Sequence, residues 1–259
     1  MQIFKCTKNP SKSPFYAIVF LVAISFFLLS PSYADSIKPV LAEKDNKQKI
    51  KSSSKILYSI NFEKESTLNA RTFLTSNGFE FESDAKDQSD LALSFSDKSL
   101  VLDATDQLFG LIIDMGLHLK DAKKIRITWG VTKYPEGASY AKGVRNEAVM
   151  IYVYYGNKKL PSDSWFIPNA PYYIGLFLGE TEPVNKIFTG IHFTQGGRYV
   201  CLANPKIGET ITSEFNLDKG FKNCFGKDKK VPFVSGIAIE VETSNTTPSK
   251  AYIKKIEIL

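Results

Sequence analysis

Ile125-Arg126-Ile127-Thr128-Trp129-Gly130-Val131-Thr132 sets apolar side chains at the odd positions and polar or small ones at the even positions. A period of two is what a pleated strand with one buried face requires, because successive side chains leave opposite faces. Trp129 shares its face with Ile125, Ile127 and Val131, which assigns it to the core. The same reading extends both ways along the chain. Upstream, Ile56, Tyr58, Ile60 and Phe62 occupy one face of a strand, 91–95 and 100–104 flank Ser96-Asp97-Lys98-Ser99 as a hairpin, and 109–117 forms a further strand. Downstream, strands are expected at 172–178, 187–193, 198–202, 209–216, 234–242 and 251–258. The segment 149–155 is apolar on both faces, with Val149, Ile151 and Val153 on one and Met150, Tyr152 and Tyr154 on the other. Either a central strand or the wall of a ligand cleft accounts for that. Short helices are expected at 66–76, stopped by Asn77-Gly78, and at 217–225. About eleven short strands with one or two short helices, and no repeat or second linker, give a single all-β domain over 56–259. The expected architecture is a jelly-roll β-sandwich.

The N-terminal stretch follows a different pattern. Lys5, Lys8 and Lys12 form a positive start, an apolar run follows at 15–29, and Ser32-Tyr33-Ala34 supplies small residues at −3 and −1 of a cleavage site. Residues 1–34 therefore read as a secretory signal peptide, and the expected location is periplasmic or secreted. The alternative is an uncleaved anchor through residues 15–30; once the signal is cleaved, no spanning segment remains. Residues 35–55 are polar, Lys-rich and aperiodic, and read as a flexible tether. An oxidising compartment suits a disulfide between Cys201 and Cys224, the alternative being two buried thiols.

Composition and motifs remove several functions. With 43% hydrophobic and 23% charged residues, wholesale disorder is excluded. The net charge of +6 falls by three lysines with the signal, and the four arginines, Arg71, Arg126, Arg145 and Arg198, are scattered. Nucleic-acid surfaces concentrate basic residues on one face, so no nucleic-acid partner is expected. His118 and His192 are the only histidines and read as structural strand residues. No zinc-type ligand spacing, nucleophile elbow, phosphate loop or dinucleotide fingerprint occurs, so no metal, cofactor or catalytic residue is assigned.

A saccharide site needs aromatic faces for the C–H side of a pyranose and fixed polar groups for its hydroxyls, gathered in a concavity. Tyr134, Tyr140, Arg145, Asn146, Glu147 and Trp165 form the candidate ligand-binding set, with Tyr172 and Tyr173 beside loops near them. Turn residues on both sides of Trp165 hold it off a strand. Glu147 opens an apolar strand after a Gly-containing loop; the plainer reading is a solvated or Arg145-paired carboxylate.

Two longer stretches carry a resemblance. IRITWGVTKYPEGASYAKGVRNEAVMIYVYYG, and later FNLDKGFKNCFG with VSGIAIEVETSNTTPSKAYIKKIEI, resemble an exported bacterial family of unknown function with a galactose-binding-like jelly-roll domain. The architecture is that of many carbohydrate-binding modules, and the resemblance covers roughly residues 100–259. Phe62-Glu63 is similar to the start of such modules. Where they carry last-strand acids for a structural calcium, this chain has Lys254-Lys255, and two ammonium groups repel Ca²⁺. The resemblance implies a non-catalytic exported protein that recognises a carbohydrate or another cell-envelope component through loop and concave-face aromatics. One rival is a polysaccharide-acting enzyme using Glu147, which requires a second carboxylate about 5–10 Å away across a cleft. The other is a structural or assembly protein of the envelope with a protein partner, which requires a flat apolar patch.

Overall fold

A computed structural model describes residues 55–64 and 68–259. The signal peptide, all but the last residue of the tether, and the expected start of the first helix at 66 lie outside the described residues. In chain order the elements are Tyr58–Asn61 (β1), Ala70–Ser76 (α1), Glu80–Ser83 (β2), Leu91–Ser96 (β3), Ser99–Ala104 (β4), Phe109–Asp114 (β5) and Lys124–Lys133 (β6). There follow Glu147–Leu160 (β7), Ala170–Leu178 (β8), Ile187–Thr189 (β9), Gly197–Ala203 (β10), Ile211–Asn216 (β11), Leu217–Phe225 (α2), Val234–Glu242 (β12) and Lys250–Ile258 (β13).

The strands form two sheets, one ordered β11-β6-β13-β4-β3 with β1 beside β13, the other β2-β5-β12-β7-β8-β10-β9. The chain changes sheet at every step between consecutive strands except β3 to β4 and the run from β7 to β10, as in a jelly roll. Among the described residues only β8 and β10 pair in parallel. The hairpin between β3 and β4 turns at Asp97 and Lys98, both at positive φ, which matches the twist of the flanking strands.

The core lies between the sheets. Ile125, Ile127, Trp129 and Val131 of β6 are fully buried in it, facing Ile151 and Val153 of β7 and Ile237 and Ile239 of β12 among others. Trp129 Nε1 donates to Ser213 Oγ at 3.1 Å, so the indole is buried with its donor satisfied. Asn69 and Asn216 cap the two helices by accepting from Thr72 N and Lys219 N, leaving fewer orphan donors at each start.

Several sequence expectations change. Thirteen strands are present among the described residues, not about eleven; β2 carries a single large apolar residue, Phe81, and pairs only with β5, so its pattern is weak. The strand expected over 187–193 ends at Thr189, and His192 sits in the following loop. The disulfide is also absent: Cys201 and Cys224 are both buried free thiols. Their strand parity explains it. Val200 faces the inter-sheet core with Cys224, whereas Cys201 leaves the opposite face of the sheet and donates to Asn204 Oδ1 at 3.2 Å. Burial pushes each thiol up to about 11.

Candidate functional site

The seven-stranded sheet buries both of its faces. On β7 the residues Val149, Ile151, Val153 and Tyr155 enter the core, while Met150, Tyr152 and Tyr154 enter a second apolar cluster on the outer face. Neighbouring strands contribute Tyr173 and Phe177 from β8, Cys201 and Tyr199 from β10, and Ala238 from β12. The two-faced hydrophobicity of 149–155 therefore has both causes at once, a central strand and a cleft wall. Gly175 sits opposite both Tyr152 and Tyr199. A Cβ there would strike Met150 Sδ and lie within 3.0 Å of Tyr152 Cε1, so the missing side chain is what lets these rings approach.

Above this face opens a cleft of about 570 Å³, within the span usual for small-molecule sites. Its floor holds Tyr152, Tyr173, Tyr199 and the Glu240 carboxyl; its rim holds Arg145, Phe166, Ile191 and His192. The rings meet edge to face, with Tyr152 and Tyr173 centroids 5.1 Å apart at 87°. Tyr152 Oη lies 2.9 and 2.8 Å from the two oxygens of Glu240 and donates to that carboxyl. One wall is the 161–169 loop between β7 and β8. Its Asp163 carboxylate accepts from Thr194 N at 2.7 Å and Thr194 Oγ1 at 3.0 Å, tying it to the 190–196 loop opposite.

Behind Glu240 stands Glu147, 2% exposed. Strand parity alone would turn Glu147 toward the core with Val149. Between the pairs Met150–Glu240 and Glu147–Glu242, however, β7 has one residue more than β12. That bulge swings Glu147 onto the face of Glu240 and Glu242. Glu147 Oε2 accepts from Tyr140 Oη at 2.5 Å, and Oε1 has no donor against it. The contact between the Glu147 and Glu240 carboxyls accordingly needs a proton of its own. Burial first, then the Glu240 charge, holds Glu147 well above the usual carboxylate range. Burial and the neighbouring Glu242 push Glu240 up to about 8, opposed by the bonds it accepts from Glu147 and Tyr152. The ion pairs among the described residues include none of these three carboxyls.

The candidate set from the sequence divides. Tyr140 and Arg145 line the cleft, Tyr140 stacked on Phe177 at 4.3 Å and Arg145 donating to Thr189 O. Glu147, Asn146 and Tyr134 line a much smaller recess of about 20 Å³. Asn146 is occupied there by Arg145 O and Asn245 N, and Tyr134 by Pro205 O. Glu147 is neither solvated nor paired with Arg145. Trp165, 95% exposed, stands on the 161–169 loop with its ring edge-on to Phe166 at 5.6 Å. Phe166 itself lines the cleft. Tyr172 faces the core side and α2, not the cleft. Sequence reasoning misses Tyr199, Phe166 and Glu240; only the strand register brings them together, and no local motif marks them. Among the described residues no group of three or more His, Cys, Asp or Glu is arranged to hold a metal ion. No helix of the described residues is long and apolar enough to cross a membrane.

No family model matches the sequence, and no curated protein matches it. Solved structures do. A family 29 carbohydrate-binding module is 9% identical at a TM-score of 0.33, covering 70% of this chain and 79% of that one. A family 29 module from Piromyces equi is 12% identical at a TM-score of 0.29, covering 70% and 80%. A variant module of the same family, solved in complex with cellulohexaose, is 7% identical at 0.32, covering 70% and 81%. At such values the assignment of a β-sandwich rests on the strand pairing of this chain itself.

Proposed function

We propose that this chain is a non-catalytic, exported protein that binds a saccharide in the cleft on the outer face of its seven-stranded sheet. The observation that carries the reading is the lining: Phe166 and Ile191 exposed at the rim, over a floor of tyrosine side chains with the Tyr152 hydroxyl on Glu240. The rim offers apolar faces to the C–H side of a sugar ring, and the floor offers fixed donors and acceptors for its hydroxyls. This is the division of labour that small-molecule sites use. Export is supported by the N-terminal sequence pattern, and a periplasmic or secreted location follows from it.

The enzyme reading is disfavoured by how the carboxyls stand. A glycosidase flanks one bond with two separated carboxyls, whereas Glu147, the carboxyl that reading needs, is buried outside the lining of the cleft. The protein-partner reading calls for a flat patch. Here the exposed Phe166 and Ile191 edge a concavity.

A glycan-array screen of the purified protein is expected to give selective binding, and Phe166→Ala is expected to weaken it on the order of tenfold, the equivalent of ~1.4 kcal/mol of lost ring contact. Trp165→Ala should weaken it less, since Trp165 only backs Phe166. Absence of any glycan binding by folded protein, or binding indifferent to Phe166→Ala, would count against the cleft.

A further inference from the structure

The cleft floor has a charge problem that a neutral sugar does not solve. Glu240 and Glu242 line the cleft and Glu147 stands directly behind, against one cationic side chain in the lining, Arg145. Arg145 is engaged elsewhere: its guanidinium donates to Thr189 O and lies over the Tyr199 ring at 6.0 Å. Glu240 is 4% exposed and Glu147 still less, and burial of a carboxylate without a counter-cation is costly. In the free protein that cost raises both carboxyls above the usual carboxylate range, Glu240 up to about 8. The walls around the same point are aromatic, with Tyr152, Tyr173, Tyr199, Phe166 and Phe193 all in the lining. Ring faces attract cations through their quadrupoles, and do so more strongly in a desolvated site. A buried carboxylate beneath an aromatic enclosure is complementary to an organic ammonium group.

We propose that the saccharide taken by this cleft carries a protonated amine, seated among the Tyr152, Tyr173 and Tyr199 rings and paired with Glu240. The inference rests on the saccharide reading above and narrows it to amino sugars with a free amine. An organic ammonium is favoured over a metal ion, since the described residues hold no metal-ligating group of three or more such side chains. The titratable groups around Glu240 are Glu147, Tyr152 and Tyr154 from β7, Tyr173 from β8, Tyr199 from β10, Tyr140 from the loop before β7 and Glu242 on its own strand, while the neighbouring β5 sets Leu111 opposite it. Of these Glu240 is pushed up to about 8, by burial first and then by Glu242. Seating a cation beside Glu240 favours its ionised form, so binding releases a proton into solvent.

The test is isothermal titration of the purified protein with four probes. These are a glucosamine tetramer, its N-acetylated counterpart, cellotetraose, and choline as a cation that is not a sugar. Titrations in two buffers of different ionisation enthalpy report the protons released. The glucosamine tetramer is expected to bind at least about tenfold more tightly than the two neutral tetramers, with proton release. Glu240→Gln, which keeps the shape and the Tyr152 bond, is expected to erase that preference and the proton release while neutral tetramers still bind. Choline should bind weakly and also lose its binding in Glu240→Gln. Equal affinity for the three tetramers, unchanged by Glu240→Gln, overturns the amine inference and leaves the saccharide reading standing. Binding of choline without any tetramer overturns the saccharide reading and this inference with it. A circular dichroism spectrum and urea midpoint of Glu240→Gln separate lost binding from lost fold.

Discussion

Urea midpoints of the protein are expected to fall as pH rises from about 5 to 8, the reverse of the usual gain of stability on leaving acid. The reason is the carboxyl pair. In the unfolded chain Glu240 titrates near its ordinary 4.5, and in the fold it is pushed up to about 8, with Glu147 raised as well. Between those values the folded state binds more protons than the unfolded one. The stability that the pair contributes is therefore fully present below about pH 4.5 and is lost as pH climbs through the folded value. The slope is up to about 1.4 kcal/mol per pH unit for each proton held. Opposing contributions come from carboxylates held low by hydrogen bonds, such as Asp87 and Glu214, but those are lost only in more acid solution and both side chains are largely solvated. The double substitution Glu147→Gln with Glu240→Gln should remove most of the slope, Glu242 being raised by burial as well, and leave a protein at least as stable as wild type at pH 8. A wild-type midpoint that stays level or rises from pH 5 to 8 would contradict the raised carboxyl pair.

Trp129→Ala carries the other large effect. The indole is fully buried between the sheets and its nitrogen holds Ser213 Oγ. Truncation removes the burial of a large aromatic, leaves a cavity and strands a buried hydroxyl, together about 3–5 kcal/mol. For a domain of this size that corresponds to a fall in Tm of roughly 10 °C. Trp165→Ala is the internal control: at 95% exposure its loss should change stability by less than about 0.5 kcal/mol. Thermal melts of the two variants side by side give the contrast. Equal shifts would mean that the tryptophan assignments are wrong.

Both tryptophan positions are legible in the amino-acid sequence. The alternation around Trp129 sets its face, and the turn residues around Trp165 hold it off a strand. The hairpin at Asp97-Lys98, α2 at Leu217–Phe225 and most strand positions are readable for the same reason, since period and turn chemistry are local. The candidate site is readable only in part. Tyr140 and Arg145 sit where loop aromatics and a cation are expected. Glu147 stands out for its position at the head of an apolar strand, yet its environment depends on a bulge that no local pattern announces. Glu240 follows Ile239 in an ordinary alternating strand and becomes unusual only because β7 sets Met150 opposite it and Tyr152 against its carboxyl. Cys201 and Cys224 show the same limit. The compartment favours pairing them, but the parity of Val200 and Cys201 puts the thiols on opposite faces of one sheet.

The most direct test of the cleft as a saccharide site is chemical-shift mapping of the labelled protein titrated with its best array glycan. The outer face of the other sheet supplies the contrast, because it too has a sizeable groove, around Tyr252, Lys250 and Thr210. The largest changes are expected on Tyr152, Tyr173, Tyr199, Glu240 and the 161–169 loop, saturating together. Changes centred on Tyr252 and Lys250, with the cleft silent, would contradict it.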